Sequence, residues 1–262
     1  MEVLPMKIHS FFPSATLLPY VQKYLIIESE NEIENNILPN PNLVLSFRLR
    51  GILRSEENNS VFDLPRVGLA GFRKSARKIF YSKNSSALLV ILSQIGASAF
   101  FNGPISEFYG KTVSLEDLVP KPAIDTIEEQ LLGCNSHRER IELIENFLLQ
   151  IRKDRTLDPM IAETLFKIQK SQGKIKIGEI KQGLPISLDS LEKKFKTSIG
   201  TTLKHFSNLL RIRSAISSHS KETNLTDLAN NAGYFDQSHF NKEFKIFTGS
   251  SPKEYFKHPQ NW

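Results

Sequence analysis

Gln237, Ser238, Asn241, Lys242 and Lys245 sit close together near the C-terminus. At about 100° per residue, Ser238, Asn241, Lys242 and Lys245 share one side of a helix, and Gln237 stands at its start. The amides of Asn and Gln can bond bidentately to adenine, and Lys reaches guanine O6/N7 or a phosphate. His239 lies on the flank, open to packing, phosphate contact or base readout. A second group, Asp189, Glu192, Lys193 and Lys196, is spaced in the same way. Lys193 and Lys196 suit phosphate or guanine. Glu192 can accept from cytosine N4, although a carboxylate beside phosphates costs binding free energy.

Each group needs a helix with an apolar face behind it. For the first, Phe240, Phe244 and Phe247 at i, i+4 and i+7 supply that face. Asp236 is a cap, Gly249 a stop, and Pro252 follows. Ahead of it, Asn224 caps a short helix with Leu225, Leu228 and Ala232 inward, closed by Gly233. The earlier group repeats the plan. Ile177, Ile180 and Leu184 lead to a turn at Gly183 and Pro185; Ser187 then caps a helix with Leu188, Leu191 and Phe195 on one side. Thr202 to His219 reads as one long connecting helix. Leu203, Phe206 and Leu210 face inward, Arg211 and Arg213 outward, and Lys204 is placed for phosphate contact. Two helix-turn-helix units in tandem weigh against the plain alternative that each Lys-rich face is merely solvated.

Charge falls in the same place. The 262 residues carry 34 Lys+Arg and 28 Asp+Glu, a net +6. Residues 171–262 hold 14 basic and 8 acidic side chains, and residues 1–170 hold 20 of each. All the excess positive charge thus lies in the last third, as expected of a polyanion-binding module joined to a neutral domain. Charge alone leaves DNA, RNA and an anionic membrane open.

Residues 1 to about 115 read as short strands. Tyr24–Ile27, Leu43–Phe47 and Leu88–Leu92 are apolar or β-branched runs separated by Pro39, Pro41, Gly51, Asn58-Asn59, Gly68 and Gly71. A sandwich or barrel is expected. Helices follow: Leu118 to Leu132 with a stop at Gly133, Arg140 to Arg152 with a stripe of Ile141, Ile144, Phe147, Leu148 and Ile151, and Pro159 to Lys170. The polar Ser171-Gln172-Gly173-Lys174 marks a domain boundary. The fold expected is α+β: a sensor or oligomerisation domain over 1–170 and an all-α double helix-turn-helix domain over 171–262.

The stretch from Ala232 to Gly249, with Ser251-Pro252-Lys253-Glu254-Tyr255 after it, resembles the signature of the AraC/XylS transcriptional regulators. Leu188, Leu191, Phe195 and Gly200 resemble the same family's first unit. The resemblance covers about residues 170–257 and implies a seven-helix domain. Its two recognition helices would enter successive major grooves, about 34 Å apart. The residues it assigns to DNA are Asp189, Glu192, Lys193, Lys196, Lys204, Arg211, Gln237, Ser238, His239, Asn241, Lys242 and Lys245. Phe235 stands where the family commonly has Ser, which moves the cap to Asp236. Lys194 stands where an apolar residue is usual. The opening Phe12-Pro13-Ser14, Leu18-Pro19-Tyr20-Val21 and Tyr24 resembles a cupin-like sensor domain, and Arg140 to Glu145 its closing helix. The implied partners are double-stranded operator DNA, RNA polymerase, a small-molecule effector and a second copy of the chain, in a bacterial cytoplasm.

No catalytic residue, cofactor or metal is expected. Gly-x-Ser-x-Gly, Walker, Gly-x-Gly-x-x-Gly and His-Glu-x-x-His motifs do not occur. The six His are scattered, and the strand region offers only His9. Cys134 is expected to be an inert thiol. Arg73, Lys74, Arg77 and Lys78 read as a solvated turn, with the lining of an anion pocket as the alternative. No apolar run approaches the roughly 20 residues needed to cross a bilayer, and no secretory leader is visible. The rival reading is a small-molecule-binding or enzymatic cupin-like protein with a degenerate DNA-binding module.

Overall fold

A computed structural model of the chain describes residues 6–57, 60–153, 155–220 and 223–257. Asn58-Asn59 and His258 lie outside them. The strands among the described residues are β1 (Met6–Phe11), β2 (Val21–Ser29), β3 (Ile33–Ile37), β4 (Val44–Arg50), β5 (Leu53–Glu57), β6 (Ser60–Asp63), β7 (Val67–Ala70), β8 (Arg77–Tyr81), β9 (Ser85–Leu92) and β10 (Thr112–Ser114). A short helix, α1 (Gly96–Phe100), precedes β10. Six strands form one antiparallel sheet in the order β1-β2-β9-β4-β7-β10, and four form a second, β3-β8-β5-β6. The run Leu88–Leu92 belongs to β9, between β2 and β4, with Leu88 opposite Ile26 and Phe47. A strand paired on both edges and covered on both faces carries apolar residues without alternation.

The two sheets enclose a cavity of about 750 Å³. Leu25, Ile27, Val44 and Leu89 give it apolar walls, and Arg48 and Arg77 reach into it. The basic cluster around Gly71 is therefore not a solvated turn. Arg73 pairs with Glu57, and Lys78 with Glu34 at 2.9 Å. Burial and the neighbouring Arg73 push Arg77 down to about 10.

Outside the larger sheet lie α2 (Lys121–Gly133) and α3 (His137–Ile151). The α3 stripe Ile141, Ile144, Phe147 and Leu148 is buried as its spacing predicts, and Ser136 caps the helix at Glu139 N. Glu145 ties α3 to the sheet, accepting from Ser14 N at 2.7 Å and the Tyr24 hydroxyl at 3.2 Å. Then α4 (Pro159–Lys170) starts on Pro159 with Asp158 as its cap.

The remaining helices are α5 (Ile177–Ile180), α6 (Leu188–Ile199), α7 (Leu203–Ser218), α8 (Leu225–Asn231), α9 (Gln237–Thr248) and α10 (Pro252–Lys257). Six helices thus follow residue 171 among the described residues. The seventh that the family resemblance implies is matched by α4, which packs on α5 and α6. Lys167 of α4 donates to Ile180 O at 3.2 Å and Gln182 O at 2.7 Å, closing the end of α5.

The α7 face differs from the expected one. Leu203, Phe206, Leu209, Ile212 and Ala215 are buried, whereas Leu210 is half-buried and lines the cavity. Arg213 does not point to solvent: it donates to Pro39 O at 3.1 Å and also borders the cavity. A second tie between strands and helices is Ala76 N donating to Phe247 O at 3.0 Å. A third joins His205 Nε2 to Arg73 O at 3.2 Å, which requires the Nε2–H tautomer.

Burial holds the His205 imidazole below its ordinary pKa. As pH falls through the ordinary value of about 6.5, the unfolded chain takes a proton at His205 that the folded chain resists, so stability drops. Urea titrations across this range should give a smaller acid-side loss for His205→Gln than for the parent. Equal losses would contradict this account of His205.

Candidate nucleic-acid interface

Helices α6 and α9 are built alike. Each has 12 residues, a side-chain cap three residues before the backbone N–H it satisfies, and a glycine stop. Ser187 Oγ accepts from Ser190 N at 3.2 Å, and Asp236 Oδ1 from His239 N at 2.7 Å. Gly200 and Gly249 end the helices at φ 102° and 85°, a left-handed conformation costly to any residue with a Cβ. Leu191, Phe195 and Ile199 bury one face of α6, and Phe240, Phe244 and Phe247 one face of α9. Leu188, the first residue of α6, was expected on the inner stripe but is 37% exposed.

The exposed faces carry most of the residues expected to meet DNA. Asp189, Lys193 and Lys196 are exposed on α6, and Ser238, His239, Lys242 and Lys245 on α9. Lys204 is exposed at the start of α7. Lys204, His239 and Lys242 converge on a cleft of about 380 Å³ between α7 and α9. Lys74, from the β7–β8 connection, joins them there, a contribution that spacing along the chain does not reveal. Phe235, 93% exposed just before the α9 cap, was also not expected at this surface.

Other residues are placed differently. Glu192 is half-buried and accepts from Leu203 N at 3.4 Å, so its carboxylate serves the start of α7 and is not an outer-face group. Burial raises its pKa, partly opposed by that hydrogen bond. Lys194 pairs with Asp158 at 2.8 Å, fastening α6 to the α4 cap. Gln237 is half-buried and its Oε1 accepts from the Thr226 hydroxyl at 3.0 Å. Asn241 is half-buried, and its Oδ1 is sealed from solvent without a hydrogen-bond partner. A bidentate adenine contact needs both amide atoms free, so this side chain has to rotate outward before it can read a base.

Arg211 is the largest departure. It was expected to point outward, yet its side chain is only 16% exposed. It stacks 4.5 Å over the Tyr234 ring, bonds Asn208 Oδ1 and lies 3.6 Å from Glu243. Glu243 gathers this network. It accepts from Asn208 Nδ2 at 2.8 Å and from the Tyr234 hydroxyl at 2.8 Å, with His239 at 3.3 Å. Burial, then the Glu243 charge, raise the Tyr234 phenol. Arg211 thus locks α7, α8 and α9 together, and its charge is spent inside the protein.

This arrangement, two capped helices backed by apolar stripes and faced with lysines, defines a double helix-turn-helix nucleic-acid-binding domain. Residues 182–258 match a helix-turn-helix domain family, and residues 9–114 match a domain family of unknown function, DUF6597. The Msm operon regulatory protein of Streptococcus mutans is 24% identical over 166 residues, 61% of this chain and 59% of that protein. The chain thus spans about three-fifths of the length of this curated relative. Among solved structures, ToxT from Vibrio cholerae is similar over 97% of this chain and 98% of its own, with 13% identity and a TM-score of 0.46. The C-terminal domain of AraT from Geobacillus stearothermophilus is 25% identical, covering 41% of this chain and 92% of its own, at a TM-score of 0.38. The C-terminal segment thus carries a helix-turn-helix domain, in line with the resemblance to the AraC/XylS regulators. The helix-turn-helix match favours DNA binding over the enzymatic cupin alternative.

Because Glu243 is a largely buried charge with several partners, Glu243→Ala should cost about 2 to 3 kcal/mol of unfolding free energy. Lys245→Ala, an exposed change, should stay within about 0.5 kcal/mol. Urea melts of both variants test this; equal costs would show that the Glu243 network is not structural.

Proposed function

We propose that this chain regulates transcription by binding double-stranded operator DNA in a sequence-specific way, with α6 and α9 in successive major grooves. The observation that carries the proposal is the duplication itself: two 12-residue helices with matching caps and stops, each turning exposed lysines outward. Lys193, Lys196, Lys204, Lys242 and Lys74 would contact phosphates, which supplies most of the affinity. Ser238, Lys245 and, after rotation, Asn241 and Gln237 would read base edges, and the exposed Phe235 would meet a thymine methyl. Asp189 stays a candidate contact at the start of α6. Glu192 and Arg211 would act by holding the reading helices in position.

The domain boundary expected near residue 170 fits better, in this proposal, ahead of α4, within 152–158, since α4 is tied to α5 and α6. Contacts with RNA polymerase and with a second copy of the chain belong to the proposal on family grounds. The cavity between the sheets would receive a small-molecule effector. Arg77 supports an anionic one: it is enclosed, donates to Thr112 Oγ1 at 2.8 Å, and has no carboxylate within ion-pair distance among the described residues. An enclosed cation with so little compensation favours a ligand with one anionic group and an apolar body.

Binding to genomic fragments selected with the purified chain should weaken steeply with salt, with a log–log slope of several units. Lys204→Ala should lower affinity for all fragments about equally and reduce the slope by about one. A flat salt response would refute the interface. For the cavity, anilinonaphthalene sulfonate, an anionic amphiphile, should bind the parent chain about tenfold more tightly than Arg77→Met, whose loss of one charge-assisted contact is worth about that factor. Equal binding by the two proteins would contradict an anionic effector.

A further inference from the structure

His9, Glu28 and His137 meet on the outer side of the larger sheet. Met6, Ile8 and Ser10 of β1 line the cavity, so His9 points the other way. On β2, Leu25 and Ile27 line the cavity, and Glu28 points outward beside His9. His137 opens the first turn of α3 directly above them. Glu28 Oε2 lies 3.5 Å from His9 Nε2 and 3.7 Å from His137 Nε2. The two imidazole rings are 4.7 Å apart, and one ligand atom from each residue falls within 4.8 Å of the others. The second histidine comes from a helix far along the chain, which hides the pair from any spacing motif.

We propose that these three side chains bind a divalent transition-metal ion of the zinc class. Two imidazole nitrogens and one carboxylate are a ligand set that zinc accepts, with the fourth tetrahedral position left to water. Zn–N and Zn–O distances of about 2.0–2.2 Å put tetrahedral ligand atoms roughly 3.3 Å apart. The Glu28 contacts are already near that spacing, and rotamer adjustment of partly exposed rings closes the rest. The His9, Glu28 and His137 side chains are 43%, 31% and 27% exposed, so an ion has a way in. Imidazole ligands favour zinc, nickel or copper over magnesium or calcium.

Arg140 sets a cost. Its Nη1 lies 3.3 Å from His137 Nδ1 while Nη2 donates to Cys134 O at 2.8 Å. When His137 Nε2 offers its lone pair to a metal, the proton sits on Nδ1 and Arg140 has to withdraw. The ion would fasten β1, whose one sheet neighbour is β2, to the start of α3. It would therefore strengthen the same seam that Glu145 holds further along the helix.

The test uses the full chain after chelator treatment, with Zn²⁺ and Co²⁺ as the added ions. One ion per chain should bind, the melting temperature should rise with Zn²⁺, and Co²⁺ should give the visible absorption of a four-coordinate site. His9→Gln, His137→Gln and Glu28→Gln should each weaken Zn²⁺ binding about tenfold or more. His239→Gln, in the DNA-facing region, should leave it unchanged. If a histidine variant fails to fold, Glu28→Gln, which keeps the side-chain size, decides the matter. Less than one ion per chain, or undiminished binding in the Glu28→Gln variant, would overturn the proposal and leave the cluster an ion-pair network.

Discussion

A carboxylate sunk between three helices has to be satisfied, and in this chain Glu243 is that group. Removing its charge from water costs several kcal/mol unless partners replace the lost hydration. Asn208 from α7, Tyr234 from the turn after α8, and His239 and Arg211 supply them. Asn208 and Arg211 belong to α7 and Tyr234 to the turn after α8, so the network ties α9 to both and fixes the angle at which it leaves the core. The Phe240, Phe244 and Phe247 stripe provides the hydrophobic drive, but apolar packing tolerates sliding more readily than a set of directed hydrogen bonds does. The exposed face with Ser238, Lys242 and Lys245 inherits that fixed orientation.

The same α7 that carries Asn208 and Arg211 also forms part of the cavity wall. Leu210 and Arg213 face the space between the sheets, while Lys204, His205 and Asn208 border the cationic cleft. One rigid rod thus touches both regions. Arg213 bonded to Pro39, His205 to Arg73, and Ala76 to Phe247 bind the rod and its neighbours to the strands.

Much of the helical lobe is legible in the sequence because its rules are local. Ser187, Asn224 and Asp236 cap where their types and positions indicate, Gly249 stops its helix, and the Phe stripe of α9 is buried. The strands Tyr24–Ile27, Leu43–Phe47 and Leu88–Leu92 are likewise visible as apolar runs. What local rules miss is the partner from elsewhere. Arg211 reads as an outward cation until Tyr234 and Glu243 are seen beside it. Glu192 reads as a base contact until Leu203 N claims its carboxylate. Arg77 and Lys74 come from one basic cluster, yet the first enters a cavity and the second reaches the helical lobe. His9 and His137 are unrelated in sequence and adjacent in space. Each miss arises from a contact between residues far apart in the chain.

Two reading helices on one rigid lobe leave a geometric signature on DNA. Hydroxyl-radical footprinting of the full chain on a selected operator measures it directly. Two protected patches on one face of the duplex, about one helical turn apart, are expected if α6 and α9 occupy successive major grooves. A single patch, or two on opposite faces, would contradict the paired arrangement.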